Sequence, residues 1–156
     1  IYLYFKNKED ILISLFEEKM GEFVEKIEDE IAGVKSASEK LSLLINKHFD
    51  ILSSDPHLAI VTQLELRQSN KELRLKINDV LKGYLALVDS VLREGMENGE
   101  FKSDLNYKLA RQMIFGTLDE IVTTWVMNEQ KYQLQSLSKD IHNLIIAGLA
   151  QAEKKS

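Results

Sequence analysis

Apolar residues recur at Ile11, Leu12, Leu15, Phe16, Met20, Phe23, Val24, Ile27 and Ile31. Steps of three and four gather them on one face of an amphipathic helix about 25 residues long, a period no half-buried strand shares. Asn7 suits the N-cap, Glu9 and Asp10 fall in the first turn where acids meet the positive end of the helix dipole, and Gly33 stops the helix. The same signals repeat downstream. Ser36-Ala37-Ser38-Glu39 has capping-box spacing and opens a second helix with Leu41, Leu44, Ile45, Phe49 and Leu52 on one face. The single proline, Pro56, follows a capping Asp55 and suits the first position of a third helix. That helix carries Leu58, Ala59, Ile60, Val61, Leu64 and Leu66 around much of its girth, so more than one side should be covered. A fourth helix starts at Asn70 and closes at Asn98-Gly99; a short connector, Glu100 to Leu105, leads to a fifth from about Asn106 to Asn128 and a sixth from about Ser138 to Ala152.

The expected fold class is therefore all-α, a single helical bundle. Its 156 residues can bury a sizeable core, and no repeat or linker divides them. The absence of cysteine excludes a disulfide scaffold or thiolate metal site and fits a reducing compartment, here the cytoplasm. No apolar run approaches the roughly 20 residues of a membrane span, so no membrane partner is expected. A net charge of −5 argues against nucleic-acid binding by these residues alone. The chain opens at Ile1 in an aromatic stretch without an initiator Met, which reads as the interior of a folded unit with further residues upstream. His48, His57 and His142 lack metal-site spacing, and no serine or acid pair sits in a catalytic motif. No catalytic site, metal or cofactor is expected. Glu17, Glu18 and Glu22 read as a solvated outer face.

The opening run, Ile1-Tyr2-Leu3-Tyr4-Phe5-Lys6-Asn7-Lys8-Glu9-Asp10-Ile11-Leu12, resembles the TetR family of bacterial transcription repressors. There an aromatic-rich stretch ends the recognition helix, and a Phe-x-x-Lys-x-x-Leu-like run enters a long connecting helix; Phe5, Lys8 and Ile11 or Leu12 occupy those places. The resemblance implies that residues 1–6 end a helix-turn-helix domain whose remainder lies upstream, and that 7–156 form a ligand-binding and dimerisation domain. It also implies operator DNA as a partner of the intact protein, with Tyr2, Tyr4 and Lys8 at positions that touch DNA phosphates. Such contacts set register without reading bases. Taken alone, the same residues are packing aromatics and a solvated charge.

Family members dimerise through their last two helices as an intermolecular four-helix bundle, which a palindromic operator requires. Gly116, Ile121, Ile145, Gly148 and Leu149 are the positions here that the resemblance places at a homodimer interface. Small residues among large ones are also compatible with intrachain packing.

A repressor of this kind takes an effector. The apolar candidates for its cavity are Phe16, Met20, Phe49, Leu52, Leu64, Leu66, Tyr84, Leu85, Val88, Met113, Phe115 and Trp125, each plain core if taken singly. From Glu65 to Lys82 five cations face three acids, and Arg67, Lys71 and Arg74 follow helical spacing suited to a phosphorylated headgroup. Gln63-Leu64-Glu65-Leu66-Arg67 and Phe115-Gly116-Thr117-Leu118-Asp119-Glu120 resemble the acyl-CoA-responsive fatty-acid-degradation repressors of the family. On that resemblance the expected effector is long-chain acyl-CoA, whose binding releases DNA. A drug-sensing repressor and a helical adaptor protein are the rival readings.

Overall fold

The computed structural model describes residues 8–65, 67 and 71–152. Tyr2, Tyr4, Leu66, the Asn7 cap and the Asn70 start lie outside the described residues. Helices α1 (Lys8–Ile31), α2 (Ala37–Ser54), α3 (Pro56–Ile60), α4 (Lys71–Glu97), α5 (Tyr107–Met127) and α6 (Ser138–Leu149) form an all-α bundle, with no strand among the described residues. None of these helices is long and apolar enough to cross a membrane. The stops follow the sequence: Gly33 and Gly99 take positive φ, 81° and 85°, just beyond α1 and α4, the left-handed conformation that glycine adopts without a Cβ clash.

Helix α2 is the axis of the bundle, touching α1, α3, α4, α5 and α6. Ala37, Leu41, Leu44, Ile45 and Phe49 have no exposed surface. Each larger one contributes about 1.5–3 kcal/mol through burial. A second, smaller cluster of Ile13, Phe16 and Leu73 joins the first half of α1 to the first half of α4.

Three expectations need correction. The third helix is not continuous through Leu66: α3 gives way after Ile60 to a π turn, Val61–Glu65. The wider turn brings Gln63 inward, where it is buried and its amide donates to Thr123 Oγ1 at 2.8 Å and to Asp119 Oδ1 at 3.1 Å on α5. Only half of the capping box at Ser36 is local. Ser36 Oγ accepts from Glu39 N, but the carboxylate that returns to the helix end is Glu100, which accepts from Ala37 N at 2.7 Å and Ser36 Oγ at 2.6 Å. Finally, α6 ends at Leu149, where the backbone turns extended. Lys102 N donates to Leu149 O and Gln151 N to Glu100 O, an isolated antiparallel bridge that fixes the α4–α5 connector against the chain's last described residues.

Candidate functional site

A cavity of about 260 Å³ lies where the two apolar clusters meet. Helix α1 supplies Phe16, Lys19, Met20 and Phe23, spaced three, one and three apart and so on one face; α2 supplies His48 and Leu52. Leu58, Thr62 and Gln63 come from α3 and its π turn, Arg74, Ile77, Asn78 and Leu81 from α4, and Phe115 and Asp119 from α5, one turn apart. Arg67 completes the wall. Arg67 and Arg74 are exposed, so they mark the solvent edge of an otherwise largely apolar space.

The polar strip on this wall is connected. Arg67 grips Asp119 through both terminal guanidinium nitrogens, Nη1 donating to Oδ2 at 2.6 Å and Nη2 to Oδ1. This two-pronged geometry is the strong form of the ion pair. Gln63 Nε2 holds the same carboxylate from the buried side. Deeper in, His48 Nδ1 lies 2.7 Å from the hydroxyl of fully buried Tyr84. Phe23, Phe49 and Tyr84 surround the imidazole edge-on at centroid distances of 5.1, 5.9 and 5.5 Å. Burial pulls the imidazole down to about 4, with the Asp119 charge opposing it, so His48 is neutral near pH 7. Burial first, and the Asp119 charge second, push the Tyr84 phenol upward, so it keeps its proton. The tautomer follows: the Tyr84 O–H donates to Nδ1 and the ring proton sits on Nε2. The opposite tautomer would leave a buried phenolic proton without an acceptor, a cost of about 1–3 kcal/mol.

Of the residues expected to wall a cavity, Phe16, Met20, Leu52 and Phe115 do so, with Arg67 and Arg74 of the expected cations. Lys71 is exposed and is not on this wall. Phe49 and Val88 are solid core, and Tyr84 stands one layer behind His48. Leu64 and Leu85 pack half-buried against the core without reaching the cavity. Trp125 is buried elsewhere, its Nε1 donating to Tyr132 O at 2.8 Å. Met113 is 65% exposed: it stands two residues from Phe115, about 200° around the helix, so the two cannot share a wall.

Sequence reasoning missed Lys19, Phe23, His48, Leu58, Thr62, Gln63, Ile77, Asn78, Leu81 and Asp119. Part of the signal was available, since Phe23 continues the Phe16 face by seven residues and Leu81 continues Arg74 and Ile77 along α4. His48 lacks metal-site spacing, and nothing near Asp119 in the sequence marks it as facing a cavity.

A second feature is an uncovered apolar stripe on α5. Leu109, Met113, Gly116 and Met127, spaced four, three and eleven apart, are all exposed. On α6, Leu144 is 77% exposed beside exposed Ala147 and Gly148. A Cβ added at Gly116 or Gly148 would meet nothing within 4 Å. Ile121 and Ile145 are half-buried against the core. Leu149, expected at an interface, is instead buried inside its own chain.

Residues 16–148 match the family of YsiA-like proteins, C-terminal region. The fatty acid metabolism regulator protein of Bacillus subtilis (strain 168) is 62% identical over 149 residues, which cover 96% of this chain and 77% of that protein. Among solved structures, the fatty acid degradation regulator FadR of Bacillus halodurans superposes with a TM-score of 0.91 at 61% identity, over 94% of this chain and 76% of that one. FadR of B. subtilis in complex with stearoyl-CoA gives 0.90 at 62% identity, over 94% and 79%. The chain belongs to the TetR family of transcription regulators, among the fatty acid metabolism regulators, and is not an enzyme.

Proposed function

We propose that this protein represses fatty-acid degradation genes in the cytoplasm and leaves its operator when long-chain acyl-CoA enters the cavity between α1 and α5. The observation that carries the reading is an aromatic-walled space with two exposed arginines at its edge, in a chain 62% identical to a regulator crystallised with stearoyl-CoA. The tail suits Phe16, Met20, Phe23, Leu52 and Phe115; the phosphates suit the guanidinium groups of Arg67 and Arg74. At about 260 Å³ the space is smaller than the roughly 300–1,000 Å³ of pockets that enclose a drug-sized ligand. A long tail must therefore push its walls apart. One wall is α1, whose start at Lys8 lies eight residues, about 12 Å of helix, before Phe16. Residues 7–156 act as the effector and dimerisation unit, residues 1–6 belong to the DNA-reading unit, and Tyr2, Tyr4 and Lys8 hold operator phosphates. Moving α1 then changes the DNA-binding geometry, provided the effector prefers the moved state.

Stearoyl-CoA at a hundredfold its Kd should stabilise the protein by about 2.7 kcal/mol, read as a melting-temperature rise of roughly 5–10 °C, and should release operator DNA from the full-length protein. Coenzyme A alone should do neither at that concentration. Arg67→Ala should weaken stearoyl-CoA binding about ten- to a hundredfold. An unchanged melting temperature with stearoyl-CoA would remove the reading.

The uncovered stripes on α5 and α6 support a homodimer built from these two helices. Met113→Glu with Leu144→Glu places acids twice in a two-fold interface, which should weaken dimerisation at least about a hundredfold. Analytical ultracentrifugation at micromolar concentration should show a dimer for the parent and a monomer for the variant. A monomeric parent would rule the interface out.

A further inference from the structure

The geometry points to His48 as the hydrogen-bond donor that receives the acyl carbonyl oxygen of the effector, so that the cavity recognises the thioester as well as the tail and the headgroup. The inference rests on the acyl-CoA reading above. His48 is 6% exposed and lines the cavity. Its Nδ1 is occupied by the Tyr84 hydroxyl, and its Nε2 has no hydrogen-bond partner among the described residues. Among the described residues the fully buried unpartnered side-chain atoms are Asp89 Oδ1 and Ser138 Oγ, so Nε2 keeps accessible surface, and on a cavity wall a ligand can bring its acceptor. Tyr84 fixes which nitrogen carries the proton, and the rings of Phe23 and Phe49 fix the plane.

The place of His48 in the site selects the acceptor. An acyl-CoA carries its anionic groups on the coenzyme and a single carbonyl where the tail begins. The cations Arg67 and Arg74 are exposed, whereas His48 is buried and close enough to Asp119 to feel its charge. The wall thus runs from guanidinium groups at the solvent edge to a neutral N–H inside, the same order as phosphate and carbonyl along the ligand. At His48 itself a neutral imidazole near the Asp119 carboxylate offers a free fatty-acid anion no positive charge to pair with.

The test uses two probes that differ at one oxygen: stearoyl-CoA, and its thioether analogue octadecyl-CoA, in which a methylene replaces the carbonyl. Titrated calorimetrically into the full-length protein, stearoyl-CoA should bind about tenfold tighter, the worth of one hydrogen bond. In His48→Phe the two probes should bind equally. The nitrogen chemical shifts of His48 should report protonated Nε2 in the parent protein, a readout independent of whether the variant folds. Equal affinity of the parent for both probes would overturn the role of His48 while leaving the effector class intact. Binding of neither probe would overturn the effector class and this inference together.

Discussion

Gly95→Ala is expected to cost about 2–3 kcal/mol, while Gly83→Ala in the same helix is expected to stabilise by up to about 1 kcal/mol. Both glycines lie inside α4. A Cβ at Gly95 would fall 2.2 Å from Phe101 Cδ2 and 2.4 Å from Cε2, well inside van der Waals contact. The ring cannot easily step aside. Phe101 is 1% exposed, its backbone N donates to Gly95 O at 2.9 Å, and it bridges to Ala150. Overpacking of this kind outweighs the propensity gained by removing a helical glycine. At Gly83 nothing lies within 4 Å, so only the propensity gain remains. Thermal unfolding should show Gly95→Ala lower by roughly 5–10 °C and Gly83→Ala slightly higher. Equal effects of one sign at both positions would show that the Phe101 ring is not seated on α4 as described.

Stability should also fall by about 3 kcal/mol as pH drops from about 6.5 to 4, through His48. The sign follows from proton counts. Burial lowers the imidazole from 6.5 in the unfolded chain to about 4 in the folded one, with Asp119 opposing. Between those values the unfolded state binds the extra proton and the folded state does not, so stability rises with pH across that window. The groups packed on the ring do nothing to reverse this: Phe23 from α1 and Phe49 from α2 carry no charge, and Tyr84 from α4 keeps its proton. Glu100 acts in the same direction but at lower pH. Burial favours its protonated form, yet the hydrogen bonds from Ser36, Ala37, Asn98 and Ser38 together hold the carboxylate below its usual 4.5. Its contribution is lost only as pH falls through that lower value. Denaturant unfolding from pH 7 to 4 should therefore slope downward for the parent and flatten above pH 5 for His48→Phe. A flat parent profile over this range would mean that the ring is already hydrated or charged.

Local signals carried most of the fold. The apolar stripe of α1, the Asp55-Pro56 start of α3, whose Leu58 N donates to Asp55 Oδ1 at 3.1 Å, and the Asn106 cap of α5 all depend on residues within four positions of one another. Long-range chemistry was not legible. Nothing around Ser36 announces that the acid on its helix end is Glu100, and nothing around Leu64 announces a π turn that hands Gln63 to Asp119. For the cavity, hydrophobicity picked out mostly buried or half-buried residues, with Met113 exposed, but Phe49 and Val88 pack against protein whereas Leu52 and Phe115 face the cavity. That distinction depends on how α1, α2, α4 and α5 are spaced, which no single helix encodes. The polar part was missed for a related reason. A lone histidine without metal-site spacing carries no signal until Tyr84 is found on one ring nitrogen and nothing on the other.

On the proposed reading, a short chain of parts would connect effector and DNA. Phe16 and Met20 wall the cavity and also belong to or pack on the small cluster that joins α1 to α4. The proposal requires that a tail entering beside them move that cluster, and with it the start of α1. The most direct measurement is a crystal structure of the protein grown with stearoyl-CoA. The expected result is the aliphatic tail threaded between Phe16, Phe23, Leu81 and Phe115, phosphates at Arg67 and Arg74, and α1 displaced at Lys8. A tail lying outside the bundle, with those four side chains closed on one another and α1 unmoved, would contradict it.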